Sequence, residues 1–497
     1  MNAQPKFKIA PIRLTPSKAR GVRRVRLSFA GIAGRVRPAA LRNRVLPFAH
    51  SLDGVFASTD ERSVSRRISL IAFAIRIASA VIALGSQVFM ARWMGEHEYG
   101  VFVVVWTAAV VVGGLSCLGF QMSVVRFIPE YLERKQYGIL RGLIVGARVY
   151  GFASASVIAL LGVLGIWLLG DRLASYYVAP FYLAAVCLPI LAVGEIQDGM
   201  SRAFNWVSVA LWPLFIYRPL AVLAFMWIAM MSGAPANAVT AMYATIGAVY
   251  LVTAYQAWGL RRRIKRVVPA APRSYKPVHW IAISLPIFIV EGFFNLLTNV
   301  DILIVGALME PEQAGIYFAA VKALALIHFV YFAVRAGAAQ RISAYYASGD
   351  QTKLQAFIRD TLHWTFWPSL LVSIILLILG KPILSLFGEG FVEGYPLFFA
   401  FIAGLLVRAS VGPAESILTM AGEQRICAVV YAVVFALNVA LNFILVPIMG
   451  LQGAAIATAT AISIEAIALA IVIYRRLGIL CWIGFVLIPP RRPAEVS

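Results

Sequence analysis

From Ile68 onward the chain alternates apolar runs of about 20 residues with short polar breaks, the length an α-helix needs to cross a hydrocarbon layer of about 30 Å. That layer holds no water, so each run has to satisfy its own backbone N–H and C=O groups, and it does so as a helix. The segments expected to span are 68–90, 100–120, 147–169, 178–196, 207–230, 236–258, 279–307, 315–338, 362–380, 396–413, 426–446 and 452–474, twelve in all. Of the 497 residues, 61% are hydrophobic and 13% charged, against roughly 45–50% and 25% in soluble domains. The expected fold class is therefore an all-α polytopic membrane protein of about twelve transmembrane helices. The piece 477–488 is too short to span and is expected to lie at the interface.

The net charge of +22 is a nucleic-acid signal only if the charge lines a groove. Instead, fifteen Lys and Arg sit in residues 1–67 against Asp53, Asp60 and Glu61. No aromatics interleave with them as a stacking platform requires, so no nucleic acid is expected as a partner. The segment lacks the long apolar run of a secretory signal. It reads as a disordered cytoplasmic arm, with anionic-lipid binding and a start codon downstream of Met1 as the alternatives. Placing the N-terminus in the cytoplasm puts 35 of the 44 Lys and Arg on that side and three, Arg92, Arg172 and Lys381, opposite. The excess of basic residues in cytoplasmic loops sets orientation, so both termini are expected there.

The basic loop around 260–278 suggests a division into a six-helix bundle at 68–259, a second at 279–474, and a tail at 475–497. A local echo supports it: "MGEHEYGVF" (Met94–Phe102) and "MEPEQAGIY" (Met309–Tyr317) both follow the first helix of their half at a constant offset of 215. Parallel repeats of this kind place a transport site near the midplane, between the halves.

Ionisable residues inside the hydrocarbon each cost at least about 2.5–3.5 kcal/mol at a helix centre, so they must face protein or water. The deep cations are Arg76, Arg148, Arg218, Lys322, Arg335 and Arg408, and the deep acids Glu291, Asp301 and Glu465, with Glu195, Asp198 and Glu415 nearer helix ends. They either lock helices together as charge pairs or line a water-filled cavity, and the basic excess suits an anionic substrate. Arg148 and Arg335 have the further option of reaching the cytoplasmic face.

On the seventh segment, turning about 100° per residue gathers Glu291, Asn295, Thr298, Asn299 and Asp301 into one sector. A polar stripe on an apolar span reads as lumen-lining, and a carboxylate there is suited to exchange a proton or Na⁺. On the twelfth segment Gly453, Ala457, Ala461 and Glu465 recur every four residues, a small-residue face that packs closely on a neighbour. It points Glu465 into protein, as an Arg partner or a coupling site. Pro189, Pro213, Pro219 and Pro286 mark bends.

No Walker A, HExxH or GxSxG motif is present, no His/Cys metal spacing is found, and the four cysteines are scattered; neither an enzyme nor a cofactor is expected. His328 and Arg335, seven apart, read as polar packing.

The run "NVALNFILVPIMGLQGAAIATATAIS" (Asn438–Ser463) resembles the last-helix junction of bacterial polysaccharide flippases. "SQVFMARWMGEHEYGVF" (Ser86–Phe102), "SVVRFIPEY" (Ser123–Tyr131) and "NLLTNVDILIVGALMEPEQAGIYFAA" (Asn295–Ala320) resemble that family's first and second, and seventh and eighth, helices. The motifs are shared by the wider superfamily, including multidrug and toxic-compound extrusion (MATE) antiporters and peptidoglycan-precursor flippases. The resemblance covers about 68–475 and implies a MATE-like pair of six-helix bundles around a cationic lumen in the bacterial inner membrane. It further implies alternating access that moves an undecaprenyl-pyrophosphate-linked oligosaccharide outward for exopolysaccharide, O-antigen or capsule synthesis, with membrane lipids, a polysaccharide polymerase and a chain-length regulator as partners. The family has no fixed motif for lumen cations. The choice of Arg76, Arg218, Lys322, Arg335 and Arg408 for the anion, and of Glu291, Asn295, Asn299, Asp301 and Glu465 for lumen or ion coupling, rests on depth and helix face. A cation-coupled drug antiporter and a non-transporting component of polysaccharide assembly are the competing readings.

Overall fold

The computed structural model describes residues 61–169, 172–348 and 350–486. The chain separates into two units, Met1–Ala74 and Ile75–Ser497; the helix packing, the cavities and the ion pairs all lie in the second. Residues 1–60 of the basic arm and the last residues of the tail lie outside the described residues.

The described residues form helices and no strands. The first helix, α1 (Glu61–Ser116), breaks at Gly95, whose φ of 78° is one that glycine adopts without a Cβ penalty. There follow α2 (Phe120–Glu133), α3 (Tyr137–Leu169), α4 (Ser175–Ala203), α5 (Val207–Met231), α6 (Ala238–Val267), α7 (Pro277–Leu308) and α8 (Pro311–Ser348). The chain continues through α9 (Gln351–Ser385), α10 (Leu397–Val411), α11 (Ala414–Met420), α12 (Gln424–Met449), α13 (Leu451–Leu477) and the short α14 (Ile483–Val486).

Among the described residues ten stretches are long and apolar enough to cross a membrane, against the twelve expected segments. Ser79–Ser116 counts once among them, although it carries the first two segments on either side of Gly95. The eighth segment, 315–338, lies within α8, which is not among the ten. Their outer faces carry exposed Leu160, Leu161, Trp167, Trp364, Ile378 and Ile448, as a lipid-facing surface should.

Helix α2 was not expected. Its apolar residues Phe120, Val124, Phe127, Ile128 and Tyr131 are all buried at the i, i+4, i+7, i+8 spacing of an amphipathic helix. It lies against α4 and the first turns of α7, where Ser284 Oγ donates to Ser123 Oγ at 2.7 Å and Trp280 Nε1 donates to Tyr131 Oη at 3.1 Å.

Packing sorts the helices into two groups. Helices α2–α6 contact chiefly one another, and so do α7–α13. On α13, Gly453, Ala457 and Ala461 are buried, and a Cβ on Gly453 would collide with the Leu445 carbonyl of α12. Within α5, Pro213 opens a π-helical turn, Pro213–Tyr217. A proline lacks the N–H that the carbonyl four residues back requires. Gln256 of α6 supplies the missing donor, its Nε2 reaching Val209 O at 3.1 Å.

Candidate functional site

Two contiguous cavities lie between the helix groups. The larger, about 460 Å³, is walled by Gln87 and Trp106 of α1, Glu195 of α4, Arg218 of α5, Asn299 of α7 and Lys322 of α8. The smaller, about 260 Å³, is walled by Gln121, Glu195, Arg202, Glu291, Asn295 and Thr298. They share Val110 and Glu195.

Arg218 and Lys322 thus reach the larger cavity from opposite groups. The π turn immediately before Arg218 sets which way it faces, because a π turn adds one residue to the helical register. Its Nε is buried without a hydrogen-bond partner. Lys322 is exposed to the cavity, its Nζ 4.7 Å from the Phe318 ring centre, a cation–π contact that leaves its donors open. Neither cation has a salt bridge among the described residues. Glu195 is the one carboxylate among the residues described on that wall.

Arg335 and Arg408 are placed elsewhere. Arg335 Nη2 donates to Glu415 Oε1 at 2.8 Å. Arg408 Nη2 lies 3.6 Å from Glu465 Oε1 and stacks over Tyr331, 4.7 Å from the ring centre. Both pairs sit inside the second group, so these arginines balance carboxylates rather than face the cavities. Arg76 lies on α1, but its side chain is outside the described residues.

The polar stripe of α7 divides three ways. Glu291, Asn295 and Thr298 face the smaller cavity and Asn299 the larger. Asn295 also reaches across to α1, its Nδ2 donating to Val111 O at 3.4 Å, beside Gly114, where a Cβ would crowd the amide. Asp301 turns away into the second group and is buried. Its Oδ2 accepts from Thr458 Oγ1 at 2.8 Å and its Oδ1 from Asn442 Nδ2 at 3.2 Å. Asn438, buried beside them, accepts from the Asn442 amide. Asn438 Nδ2 and Asn442 Oδ1 have no partner, which leaves this oxygen-rich pocket incompletely satisfied.

Gln87, Arg202, Asn438, Asn442 and Thr458 were not singled out from sequence. An asparagine pair four residues apart on an apolar helix, Asn438 and Asn442, was the signal available. Among the described residues no group of three or more His, Cys, Asp or Glu is arranged to hold a metal.

At one end of the interior the two echoing segments pack against each other. A Cβ on Gly100 would collide with the Pro311 carbonyl, and one on Gly315 would lie 3.3 Å from Gly100 Cα. His97 Nδ1 and Glu312 Oε1 meet at 2.8 Å, and Arg92 donates to Leu386 O and Ser385 O, both at 2.7 Å.

A multi-pass helical chain with polar cavities between two helix groups belongs to the class of membrane transporters and flippases. The profile described as polysaccharide biosynthesis protein matches residues 66–340 and the one described as MatE matches 286–444. The chain belongs to the polysaccharide biosynthesis protein family, within the superfamily of such carriers. Among the curated proteins none matches it. Of the solved structures, it is similar to an inward-facing multidrug resistance MATE family transporter of the MOP superfamily, at TM-score 0.67 and 13% identity over 85% of this chain and 100% of that one. It is similar to the lipid II flippase MurJ in an inward closed conformation, at TM-score 0.62 and 14% identity over 81% and 87%. A third is a MOP superfamily transporter from Pyrococcus furiosus with a binding pocket of reverse polarity, at TM-score 0.61 and 13% identity over 84% and 96%. These likenesses establish a shared fold, and the matched families are transporters and flippases rather than enzymes.

Proposed function

We propose that the protein is an inner-membrane flippase that moves a lipid-pyrophosphate-linked oligosaccharide from the cytoplasmic to the opposite leaflet. The observation that carries this reading is the pair Arg218 and Lys322, free of salt bridges among the described residues and placed on opposite walls of one cavity. A pyrophosphate needs charge-assisted donors: a guanidinium binds it as a fork and an ammonium as a point charge. Two cations on opposite walls grip it from both helix groups, so the substrate itself couples their movement. The sugars lie in the polar cavities among Gln87, Asn299 and Asn295, and the lipid tail stays in the bilayer.

The distribution of basic residues supports cytoplasmic termini, which puts the Arg202 end of the interior on the cytoplasmic side. Asp301, with Asn438, Asn442 and Thr458 around it, is the group we assign to proton or cation exchange, since a buried carboxylate with incompletely satisfied neighbours is the natural place for it. Glu465 and Arg408 hold helices together.

The test is a deletion strain lacking redundant flippases. Accumulation of lipid-linked repeat units on the cytoplasmic side, reversed by the native gene, supports the reading. Unchanged polymer with altered resistance to cationic drugs would favour the antiporter, for which Glu195 and Glu291 are the available acids.

A further inference from the structure

We propose that the interior is shut alternately by two ion pairs, His97–Glu312 at one end and Arg202–Glu291 at the other, with the first formed and the second apart in this structure. The inference rests on the reading of the chain as an alternating-access carrier.

His97 and Glu312 occupy the same position in the two echoing segments, 215 residues apart, and tie α1 to the start of α8. Tyr176 of α4 packs on the pair, its ring 5.2 Å from that of His97, while the neighbouring charges of α1 are engaged elsewhere: Glu98 accepts from Ala238 N at the start of α6 and Arg92 donates to the Leu386 and Ser385 carbonyls. The two side chains are 42% and 39% exposed, so solvent screens the pair and it holds only weakly. That suits a latch, which has to release. The close backbone approach of Gly100 to Pro311 supplies the rest of the closure.

At the other end, Arg202 and Glu291 stand on opposite helix groups around the 260 Å³ cavity. Arg202 is held by Asp198 of its own helix at 2.8 Å. Glu291 has no ion pair among the described residues, which is tolerable only while the cavity holds water. Closing that end expels the water, and an unpaired carboxylate then needs a cation. Arg335 is already engaged by Glu415. Arg202 is the cation on the facing wall, so closure exchanges its Asp198 partner for Glu291.

The experiment is cysteine cross-linking of the full-length chain in membranes, where the native Cys117, Cys187, Cys427 and Cys481 are buried. The pair H97C/E312C is expected to oxidise readily in resting membranes. The pair R202C/E291C is expected to oxidise at least about tenfold more slowly, as a minor conformer populated at a tenth or less requires. In a chain carrying both pairs, the first disulfide should abolish the second. Equal rates for R202C/E291C with and without the first disulfide overturn the proposal. Should those variants not accumulate, charge reversal decides: E291R is expected to lose transport and R202E/E291R to regain it, and a double variant no better than E291R overturns the exchange. Cross-linking needs no substrate, so its outcome is separable from failure of the flippase reading.

Discussion

Arg408 and Glu465 face each other at 3.6 Å between α10 and α13, with side chains only 14% and 4% exposed. Removing one member of a buried pair strands the other charge, at a cost of about 3–5 kcal/mol, whereas an apolar pair of similar volume is close to neutral. Arg408→Ala should therefore lower the unfolding midpoint of the detergent-purified protein sharply, and Arg408→Met with Glu465→Leu should restore most of it. A double variant that stays stable but loses transport would return Arg408 to the lumen.

Arg218 and Lys322 should behave in the opposite way. Each is expected to contribute a charge-assisted contact of about 1.5–3 kcal/mol to the anion, so Arg218→Gln or Lys322→Gln should cut polymer export by about 10- to 100-fold. Thermal stability should hardly change, because neither cation has a salt bridge to break.

Asp301→Asn keeps the shape of the pocket but exchanges an acceptor for an amide. Thr458 and Asn442 each lose a charged acceptor, with an expected stability loss of about 1–3 kcal/mol. Transport in proteoliposomes should lose its dependence on an imposed proton or sodium gradient while substrate still binds.

Gly100→Val forces a branched side chain into the Pro311 backbone. Overpacking of this kind costs about 1–3 kcal/mol, paid only when the His97 end is closed. The variant should shift toward the other conformer, and H97C/E312C in that background should cross-link more slowly than in the native chain.

Burial draws the Glu312 carboxyl upward, but hydrogen bonds from its own backbone N–H and from His97 outweigh this and hold it below the usual carboxylate range. With the folded value depressed, its contribution is present above the ordinary carboxylate range and is lost as pH falls through the folded value. Labelling of an Ala314→Cys probe, buried in this structure, by an impermeant pyridyl disulfide, which reacts with thiols in acid, should rise on acidification through that window relative to an exposed reference cysteine. Glu312→Gln should remove the pH dependence.

Much of the fold was legible because run length alone identifies a spanning helix. The break at Gly95 was legible too, in the charged stretch between 68–90 and 100–120, whereas α2 was not, because a half-apolar helix gives no hydropathy peak. At the site, depth singled out Arg218 and Lys322 together with Arg335 and Arg408. It could not separate them, because Glu415 and Glu465 come from helices that only the tertiary fold brings alongside. Asn299 and Asp301 fell in one broad helical sector, yet they stand on its opposite edges, and the structure sends one to the cavity and the other into the packed helices.

The π turn at Pro213–Tyr217 makes the orientation of Arg218 depend on the winding of the backbone before it as well as on the residue itself. Relaxing that turn to α-helix with the residue count unchanged would rotate the guanidinium by about 100° around the helix axis, with every side chain of the cavity unaltered. In a chain built this way, selectivity for charge is open to change through the backbone as much as through a charged residue, and the winding of that turn is the quantity to compare between relatives that carry different cargo.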